Sequence, residues 1–476
     1  MNNLVHIDFT AINDFHGAVE ESGNQVGLPK LTTYLKGRKA NGSILINSGD
    51  MWQGSFIANY TRGHLISSTF REIGFDAYTL GNHDLDWGVE VAIENEAPEY
   101  LGQKILAANV YDYPKTGSTW TKSDFGDVSR VVTYKPGTAD EVKVGIIGVI
   151  GSSQFSSITA SNTADFVFLN PTNIVNTEAD RLRSEEGCDV VVASYHAGQA
   201  DVDTAVTSHV DAIFCGHTHR GESKEVNGVP FIQGAAYGQN ASEVRLLLNR
   251  SEGTVSAENY QNVALANLSL SEDEATVQAL LDLQESPDVY DKLHVSLGYT
   301  DSYFTNTTNL AMYQERVTAE KAESLGYEFD YCMFNQARAS MRSGPTTYSD
   351  IFMSHPFLNS LYIARVSGAD LINEASYNYL YLNNGAPIPT DSSSVYYTVL
   401  VYDYLLFHNK LNNSYQKIRD YFPSFETSGF TPELVMNGDI KLTVVDAMVE
   451  DYQARGTIYP SDYMDGGTYY DCFYSA

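Results

Sequence analysis

The sequence predicts a two-domain protein of the α/β class, and three observations support that prediction. The chain has 476 residues, 43% of them hydrophobic and 19% charged, which is typical of a globular protein with two or three domains. Up to about residue 250, short apolar runs alternate with amphipathic stretches. Beyond that the composition changes, and 22 of the 33 tyrosines fall within Tyr299–Tyr474. We therefore predict domains at 1–265 and 297–476, joined by a linker helix at 266–296.

The first domain is predicted to consist of strands that alternate with helices. A first strand at Leu4–Ile12 is followed by six short apolar runs with the length of buried strands. These runs are Ser43–Asn47, Ala77–Leu80, Ile105–Asn109, Val144–Ile150, Val190–Ser194 and Ala212–Cys215. Helical patterns lie between several of them, at Pro29–Arg38, Leu65–Ile73 and Asn173–Glu186. This alternation predicts a largely internal sheet.

The linker and the second domain carry weaker signals. Leu270–Glu285 combines acidic residues with apolar residues at helical spacing and is predicted to form one helix. After it the alternation of strands and helices becomes less regular, and we infer a second, aromatic-rich domain. Most tyrosines of such a domain pack or cover the surface, so their number supports the domain boundary more than it supports a ligand.

The charge of the chain excludes some partners. Lys and Arg number 29 against 60 Asp and Glu, so the formal net charge is -31. Such a surface repels polyanions, and we expect neither a nucleic-acid polymer nor an anionic membrane as a partner. No apolar run approaches the roughly 20 residues of a membrane-spanning helix. An anionic substrate must therefore meet a local positive centre made of arginines or metal ions.

The sequence says little about the cellular compartment or the oligomeric state. The first strand begins almost at Met1, so we expect either a cytoplasmic chain or a mature or trimmed form of an exported one. Four scattered cysteines fit neither a disulfide framework nor a thiolate zinc site. The oligomeric state stays open.

Aspartate, asparagine and histidine residues recur where the predicted strands end. The segments are Asn13–Gly17, Asn47–Asp50, Gly81–Asp86, Ser194–Gly198 and Gly216–His219. Because the carboxyl ends of strands in an α/β sheet open onto one rim, these segments can converge. They offer two carboxylates, one amide and four imidazoles, namely Asp14, Asp50, Asn82, His16, His196, His217 and His219. Oxygen and imidazole ligands without thiolate suit Mn, Zn, Fe or a similar divalent ion.

One such segment alone is weak evidence, because an isolated Asp-x-His or His-x-His pair usually lies on the surface or is satisfied in the core. Five segments at five strand ends are stronger evidence. Their order, D-x-H, G-D, G-N-H-D, H and G-H-x-H, resembles the calcineurin-like metallophosphoesterases. The strings Asn13–Gly17, Ser48–Ser55 and Gly81–Gly88 are similar to one branch of that family, the 5′-nucleotidases related to UDP-sugar hydrolase.

The resemblance spans residues 8–240 and has consequences for fold and cofactor. It implies an N-terminal sandwich of sheets flanked by helices, followed by a 5′-nucleotidase-type substrate domain of the α+β class. It also implies two divalent metal ions roughly 3.5–4 Å apart, which can clamp a phosphoryl oxygen and activate a water for in-line attack. The first ion would be held by Asp14, His16, Asp50 and His219. The second would be held by Asn82, His196, His217 and the shared Asp50.

Two further residues of the third motif are implied to be catalytic. His83 follows Asn82, which is also expected to contact the substrate, and Asp86 lies three residues further on. That spacing lets Asp86 orient the imidazole, so His83 can stabilise phosphoryl oxygens or protonate the leaving oxygen. Asp86 can instead, or in addition, cap the helix that follows. Asp84 is expected to pair with the local backbone.

Two strings match stretches that buttress the rim in the family, and we expect them to support the metal ligands from behind. They contain Asn109 and Gln233–Gly234.

In the second domain the resemblance implies a nucleotide pocket. Arg338, Gly344 and Pro356–Asn359 follow one another at the family's spacing. Phe357 would stack on the base, Asn359 would bond its edge, Arg338 would contact substrate oxygens, and Tyr404 would be the second stacking aromatic. Stacking on such a ring contributes on the order of 1–3 kcal/mol.

The same domain departs from the family pattern. Ser302–Leu310 has no arginine where the family carries substrate arginines, and Asn383–Ser394 is shortened. Lys410 stands where the family has the Asp that holds the ribose. Lys410 or Arg342 can replace a missing charge, although a solvated surface lysine is the plainer interpretation.

Three functional hypotheses remain. The first is a secreted, periplasmic or cell-surface hydrolase of nucleoside 5′-monophosphates or related nucleotides, with a cytoplasmic location still open. The second keeps the metals but takes 2′,3′-cyclic nucleotides, 3′-nucleotides or nucleotide sugars. The third is a metal-stabilised surface protein that has lost the nucleotide pocket, and the presence of His83 and Asp86 argues against it.

Overall fold

The computed structural model describes residues 2–112, 120–163, 165–307, 309–375, 379–382, 386, 389–407, 421–425 and 427–463. Within them the chain divides into two units. Apart from the short piece 159–161, which belongs to the second unit, the first unit ends at Asp282 and the second begins at Leu283. The predicted domain boundaries at 265 and 297 lie on either side of this point and stay predictions.

Strands and helices alternate up to Ala264. The strands are β1 Leu4–Ile12, β2 Glu21–Ser22, β3 Gln25–Val26, β4 Ile44–Asn47, β5 Ala77–Tyr78, β6 Val110–Asp112, β7 Thr121–Lys122, β8 Ser129–Tyr134, β9 Val142–Ile150, β10 Phe166–Phe168, β11 Val190–His196, β12 Ala212–Cys215, β13 Glu222–Val226, β14 Val229–Gln233, β15 Asn240–Asn249 and β16 Thr254–Ala264. The helices are α1 Gly27–Ala40, α2 Phe56–Tyr60, α3 His64–Ile73, α4 Val89–Asn95, α5 Ala160–Thr163 and α6 Pro171–Ser184.

Two large sheets face each other in the first unit. One has the strand order β16-β15-β1-β4-β5, and the other has the order β13-β14-β12-β11-β9-β8. One apolar cluster contains side chains of both sheets, among them Ile7, Ile46, Val192 and Ile232. The pattern of apolar runs alone predicted one internal sheet, whereas the sandwich implied by the resemblance is confirmed.

Helix α6 covers the outer face of the second sheet. Asn170 begins the helix, because its side-chain oxygen accepts a hydrogen bond from the Thr172 amide at 3.0 Å and Pro171 occupies the first turn. The buried face of α6 then contributes Val175 and Leu182 to a second apolar cluster, which includes alternate residues of β11. The sheet is therefore covered on both faces, as its nearly continuous apolar strands require.

Five of the six predicted apolar runs contain strands, namely β4, β5, β9, β11 and β12. The sixth prediction, a strand at Ile105–Asn109, is wrong. Only Leu106 forms β-bridges there. The chain then turns, and the buried Asn109 amide donates to the carbonyls of Ile150 and Leu169 at 2.7 and 2.8 Å. A side chain thus takes the backbone partners that a longer strand would have used.

The remaining elements follow from Glu274 onward. The helices are α7 Glu274–Gln284, α8 Pro287–His294, α9 Asn309–Ser324, α10 Tyr348–Ser354, α11 Gly368–Ala375, α12 Asp403–Leu406 and α13 Val444–Arg455. The strands are β17 Ser296–Thr300, β18 Tyr331–Phe334, β19 Gly344–Thr347, β20 Leu361–Ser367, β21 Tyr379–Leu382, β22 Tyr396–Tyr402, β23 Glu433–Leu434, β24 Met436–Asn437, β25 Ile440–Lys441 and β26 Thr457–Ile458. Within the predicted linker, α7 corresponds to the expected helix, and α8 is a second helix after it.

The second unit is of the mixed type that the sequence predicts. A sheet with the order β21-β18-β22-β20-β23 and a smaller one with the order β19-β17-β26 share its apolar core with α9 and α13. Helix α13 begins with a capping box, in which Thr443 and Asp446 satisfy each other's backbone amides. Each helix in the described part of the chain is too short or too polar to cross a bilayer.

Candidate functional site

The polar segments that follow the strands of the first unit meet at one rim. Six side chains form two groups there, and within each group the candidate ligand atoms lie within 4.8 Å of one another. The first group is Asp14, His16 and His219, and the second is Asp50, His196 and His217. The sequence-based expectation that these segments converge therefore agrees with the geometry.

Asp50 lies between the two groups. Its Oδ2 atom is 3.6 Å from His16 Nε2 and 3.2 Å from His196 Nε2. The side chain is fully buried, yet Oδ2 has no well-aligned hydrogen-bond donor among the described residues. A buried carboxylate oxygen in that state is costly unless a cation compensates it. Its position suits an oxygen that bridges two ions.

Asn82 adds an oxygen to the second group. Its Oδ1 atom lies 3.0 Å from His196 Nε2 and 3.0 Å from His217 Nδ1. The amide nitrogen is buried without a hydrogen-bond partner in the described part of the chain. The second group thus gathers two imidazole nitrogens and two oxygens around one small volume.

Backbone carbonyls fix the orientation of two imidazoles. His16 Nδ1 lies 2.8 Å from the Gln53 carbonyl, and His196 Nδ1 lies 2.8 Å from the Ser48 carbonyl. Since a carbonyl only accepts, each Nδ1 carries a hydrogen, and in the neutral ring each Nε2 presents a lone pair. His16 Nε2 is only 3.0 Å from His219 Nε2. Asp14 Oδ1 lies 3.4 Å from the same His219 atom, so a carboxylate oxygen and two imidazole nitrogens meet in one place, a donor set that suits a cation.

Burial and charge determine how these groups ionise. Burial lowers the pKa of His16 to about 4, and it also lowers the pKa of His217. Burial acts in the same direction on His196, but the charge of Asp50 outweighs it and raises the pKa to about 10. The pKa of Asp50 ends well below its usual value, because the nearby histidines outweigh the effect of its burial. The rim therefore holds an ionised carboxylate at Asp50, neutral imidazoles at His16 and His217, and a His196 imidazole that the charge of Asp50 keeps protonated. A cation bound beside Asp50 would take the place of that proton.

The backbone is strained at the same residues. Five of the six grouped residues have positive φ, with values of 49° at Asp14, 48° at His16, 55° at Asp50, 76° at His217 and 59° at His219. Each such residue costs on the order of 1–3 kcal/mol, and strain of this kind is retained mainly at functional sites. The fold thus holds these side chains in positions that the local backbone does not favour.

Glycine is required at the closest approach of two segments. A Cβ atom on Gly81 would lie 2.2 Å from Asp50 Oδ1, and one on Gly49 would lie 2.5 Å from His196 Nδ1. Either contact would displace a candidate ligand.

Together these observations fit two divalent metal ions. The donors are carboxylate, amide and imidazole groups without thiolate, and the buried Oδ2 atom of Asp50 lacks a strong partner. The identity of the metal is not determined by this donor set.

His83 and Asp86 form the pair that their spacing predicts. His83 Nδ1 lies 2.7 Å from Asp86 Oδ2, and the His83 amide donates to Asp50 Oδ1 at 2.8 Å. The His83 side chain is 20% exposed, so it is accessible at the rim. The alternative that Asp86 caps the next helix is wrong, because Gly88 is the N-cap of α4 and no side chain caps it.

Asp84 joins two ligand segments. As expected, it binds backbone amides, accepting from Gly81 at 2.9 Å. It also accepts from Asp50 at 3.0 Å and from Met51 at 2.8 Å, which lie on a different segment. Burial and then the charge of Asp50 raise its pKa to about 7.

The predicted supporting residues lie behind the rim. Asn109 holds the end of β9, and the Gln233 amide nitrogen donates to Thr218 Oγ1 at 2.6 Å, next to His219. Gly234 exchanges two hydrogen bonds with the side chain of Asn13.

Several supporting groups were not predicted from the sequence. The carbonyls of Ser48 and Gln53 orient imidazoles, and Asn13 donates to Asp14 Oδ2 at 2.6 Å. The ring of Tyr237 contacts His16 and His219. Asn13 lies inside a quoted motif and could have been noticed there. Carbonyls carry no residue signature, and no motif marks Tyr237.

The residues predicted to bind substrate in the second unit are partly gathered. The guanidinium of Arg338, which is exposed, lies 6.0 Å from the centre of the half-buried Phe357 ring. Tyr404 is half-buried, and its ring centre is 6.2 Å from that of Tyr421. Lys410 lies outside the described residues, and Arg342 is exposed.

Asn359 already has a strong partner within the unit. Its amide donates to Asp403 Oδ1 at 2.7 Å. Asp403 also accepts from the backbone amides of Ser360 at 3.1 Å and Tyr404 at 2.8 Å, and burial raises its pKa. Asp403 thus ties the segment that carries Phe357 to the one that carries Tyr404.

Comparisons with known proteins agree with this site. Residues 7–221 match the family model described as calcineurin-like phosphoesterase. The chain is 22% identical over 413 residues to endonuclease YhcR of Bacillus subtilis, an alignment that covers 77% of this chain and 32% of that protein. It is 31% identical over 235 residues to an apyrase of Tabanus yao, covering 46% of this chain and 39% of that one.

A solved structure shares the fold of the whole chain. The 5′-nucleotidase precursor of Thermus thermophilus superposes with a TM-score of 0.73 at 15% identity, covering 95% of this chain and 97% of that one. The two curated relatives are longer, since the aligned part of this chain spans only 32% and 39% of them.

Proposed function

Residues 7–221 of this chain form a calcineurin-like phosphoesterase domain, and from that premise we propose that the protein hydrolyses phosphate esters with two divalent metal ions. The observation that carries the proposal is the position of Asp50 Oδ2, within 3.6 Å of a nitrogen in each ligand group. When bound, two such ions supply charge for the phosphoryl oxygens and lower the pKa of an attacking water. We assign Asp14, His16, Asp50 and His219 to one ion, and Asn82, His196, His217 and Asp50 to the other.

We assign proton handling and phosphoryl contact to His83. Asp86 binds its Nδ1 atom at 2.7 Å, which orients the imidazole. The backbone amide of His83 donates a hydrogen bond to Asp50 Oδ1. The position of the imidazole is therefore coupled to that of the bridging carboxylate. In the protonated state His83 can donate to a phosphoryl oxygen or to the leaving oxygen. Asn82 is the further rim residue that we expect to contact the substrate.

Nucleoside 5′-monophosphates and related nucleotides are the substrates we propose. The relatives named apyrase and 5′-nucleotidase support this class. In the second unit, Phe357 and Tyr404 offer aromatic rings for the base, and Arg338 offers a charge for substrate oxygens. The amide nitrogen of Asn359 already donates one hydrogen bond to Asp403. Asn359 would therefore bind the edge of the base with its second amide hydrogen or with its carbonyl oxygen.

A second substrate class is favoured by a specific observation. The segment Ser302–Leu310 carries no arginine, so the second unit offers less positive charge than the family pattern implies. Two kinds of ester suit a site with fewer arginines. One carries less charge near the base, as a 2′,3′-cyclic nucleotide does, and the other has a second sugar where the arginine contact would be, as a nucleotide sugar does. Hydrolysis outside the cytoplasm, as a secreted, periplasmic or surface protein, is the setting we propose for either class, because one relative is named a cell wall protein and another a snake venom 5′-nucleotidase.

A substrate panel tests the proposal. Phosphate release is measured from 5′-AMP and 3′-AMP. Hydrolysis of UDP-glucose and 2′,3′-cyclic AMP, which frees no orthophosphate, is followed by chromatography of the nucleotide products, and every substrate is tested with Mn²⁺ or with EDTA. A single-stranded DNA is included because one relative is named an endonuclease. We expect release that EDTA abolishes and that 5′-AMP leads.

Each other outcome has a definite meaning. Metal-dependent release led by another ester would keep the assignment of the rim and replace the substrate. Cleavage of DNA alone would overturn the expectation from charge. No release at all from protein shown to bind two metal ions would favour the non-enzymatic hypothesis.

A further inference from the structure

Tyr237 occupies an unfavourable position for its residue type. It lies in the turn between β14 and β15 with φ of 61°, and Gly238 follows with φ of 66°. Two consecutive left-handed residues are normally glycine or asparagine, because a side chain with a bulky Cβ substituent is strained there. An aromatic residue in such a turn indicates that its side chain compensates for the strain.

The ring of Tyr237 packs against two candidate metal ligands at once. Its centre is 5.4 Å from that of His219, with the planes at 79°, and 5.6 Å from that of His16, with the planes at 41°. The two imidazole centres are themselves 4.9 Å apart. The three rings therefore form a triangle in which each ring contacts the other two.

The backbone of Tyr237 holds the third member of the same group. Its amide donates to the carbonyl of Asp14 at 2.8 Å. Asp14 has a positive φ of 49°, so this bond helps to keep a strained carboxylate-bearing residue in place. One residue thus contacts all three members of the first group, Asp14, His16 and His219.

We propose that Tyr237 is a positioning residue for one of the two metal ions, acting through its ring on His16 and His219. Without the ring, the side chains of His16 and His219, whose Nε2 atoms lie 3.0 Å apart, would lose the neighbour that both of them pack against and would be freer to move apart. A bound cation withdraws electrons from both imidazoles, and edge-to-face contact with an aromatic neighbour becomes more favourable for an electron-poor ring. The ring therefore both keeps the two ligands together and favours their metal-bound form.

Three substitutions separate the ring from the turn. Tyr237→Phe keeps the ring and the backbone amide. Tyr237→Gly removes the ring, keeps the amide bond to Asp14 and suits the positive φ. Tyr237→Leu removes the ring but keeps bulk and strain. Each full-length variant is freed of metal with a chelator and titrated with Mn²⁺, and free Mn²⁺ is followed by its electron paramagnetic resonance signal. The melting temperature of the metal-free protein is measured in parallel.

The expected results distinguish a ring that positions metal ligands from one that only fills a turn. In the Gly and Leu variants one of the two Mn²⁺ equivalents should bind about 10-fold more weakly, the order seen when a group supporting a ligand is lost. The Phe variant should bind both equivalents within about 2-fold of the wild type. Without metal, the Gly variant should melt at least as high as the Leu variant, because glycine relieves the strain.

Three results would overturn the proposal. Wild-type Mn²⁺ affinity in the Gly variant would show that the ring is not needed. Equal weakening of both equivalents would show a general loosening of the rim. Weak binding in the Phe variant would assign the effect to the hydroxyl instead of the ring. All three readouts concern metal binding, so they do not depend on the substrate proposed above.

Discussion

The two units hold their polar groups in opposite states. At the rim of the first unit, Asp50 Oδ2 and Asn82 Nδ2 are buried without well-aligned partners among the described residues. In the second unit, Asn359 and Asp403 bond each other at 2.7 Å. The first unit is therefore preorganised to receive a charged ligand. In the second unit, the hydrogen bond between Asn359 and Asp403 instead holds two loop segments together. Under the proposed function, recognition in the second unit would fall mainly to ring faces and to the exposed Arg338.

Two buried carboxylates outside the metal-ligand groups show the reverse of that contrast. Asp84 in the first unit accepts hydrogen bonds from three backbone amides, and its pKa rises to about 7 through burial and the charge of Asp50. Glu315 in the second unit accepts one, from Phe334 at 2.8 Å, and its Oε2 atom has no partner among the described residues. Burial raises the pKa of Glu315 well above its usual value. We therefore expect substitutions at the rim to cost turnover, and substitutions in the second unit to cost affinity or stability.

The largest effect is expected at Asp50. Asp50→Ala removes the oxygen between the two ligand groups and should lower phosphate release by about 1,000-fold or more, the order lost when charge stabilisation of a transition state is removed. Turnover and bound metal are measured together, with Asp180→Ala on the exposed face of α6 as the control. Turnover within a few fold of wild type would contradict a bridging role and the contrast between the units.

His83 should give the next largest effect. His83→Ala removes the group assigned to proton handling and should lower kcat about 100-fold or more with little change in KM. Asp86→Asn keeps a hydrogen-bond acceptor for Nδ1 but loses the charge, so we expect a loss of about 10-fold. Steady-state kinetics on the best substrate of the panel measure both, and His6→Ala, which changes a largely exposed histidine, is the control. An unchanged kcat in His83→Ala would remove this residue from the reaction.

A smaller effect is expected at Phe357. Phe357→Ala should raise KM for the preferred nucleotide about 10-fold and leave kcat within about 2-fold, because base stacking contributes on the order of 1–3 kcal/mol. Tyr303→Ala, which removes an exposed tyrosine of the same unit, is the control. Asn359→Ala tests the contrast directly, since its amide is bonded to Asp403. If that variant raises KM as much as Phe357→Ala does, the Asn359 amide contacts the base. Its hydrogen bond to Asp403 then does not prevent it from binding substrate, contrary to the contrast drawn above.

The smallest effect concerns stability and pH. Folded protein keeps a proton on Glu315 above pH 4.5, its usual pKa, whereas the unfolded chain releases it there. Stability should therefore fall as pH rises from about 4.5, by about 1.4 kcal/mol per pH unit from this group. Glu315→Gln should lose that slope, melting close to wild type near pH 5 and above it near pH 8. The exposed Glu320→Gln on the same helix is the control, and parallel pH profiles for the Glu315→Gln variant and the wild type would show that Glu315 is ionised in the fold.

The sequence predicted the rim better than its supports for a physical reason. Ligands such as Asp14, His196 and His219 are recognisable because their residue type and their place after a strand both carry information. The groups that orient them are often backbone carbonyls, as at Ser48, or packing contacts, as at Tyr237. Any residue can supply these, so no motif marks them.

Fold class was predictable, and the arrangement of the sheets was less so. Apolar runs report burial, and they located β4, β9, β11 and β12, but burial alone does not tell which sheet a strand joins. The strand predicted at Ile105–Asn109 failed because the Asn109 side chain bonds the backbone of Ile150 instead of leaving it to a ladder. In the second unit, the departures at Ser302–Leu310 made the prediction of substrate uncertain, and its geometry adds the Asn359–Asp403 bond.

The position of the first strand has a consequence for how the protein is made. β1 is an interior strand, paired with β4 on one side and with β15 on the other, so that Leu4 is opposite Asn249. On the ribosome, the first strand must wait for residues synthesised at the end of the first unit before its sheet can close. His219 likewise emerges long after Asp14, although the two end 3.4 Å apart. The nascent chain therefore keeps β1 unpaired on one edge until β15, ending at Asn249, has been made, and during that time the apolar strand is exposed to a chaperone or to aggregation.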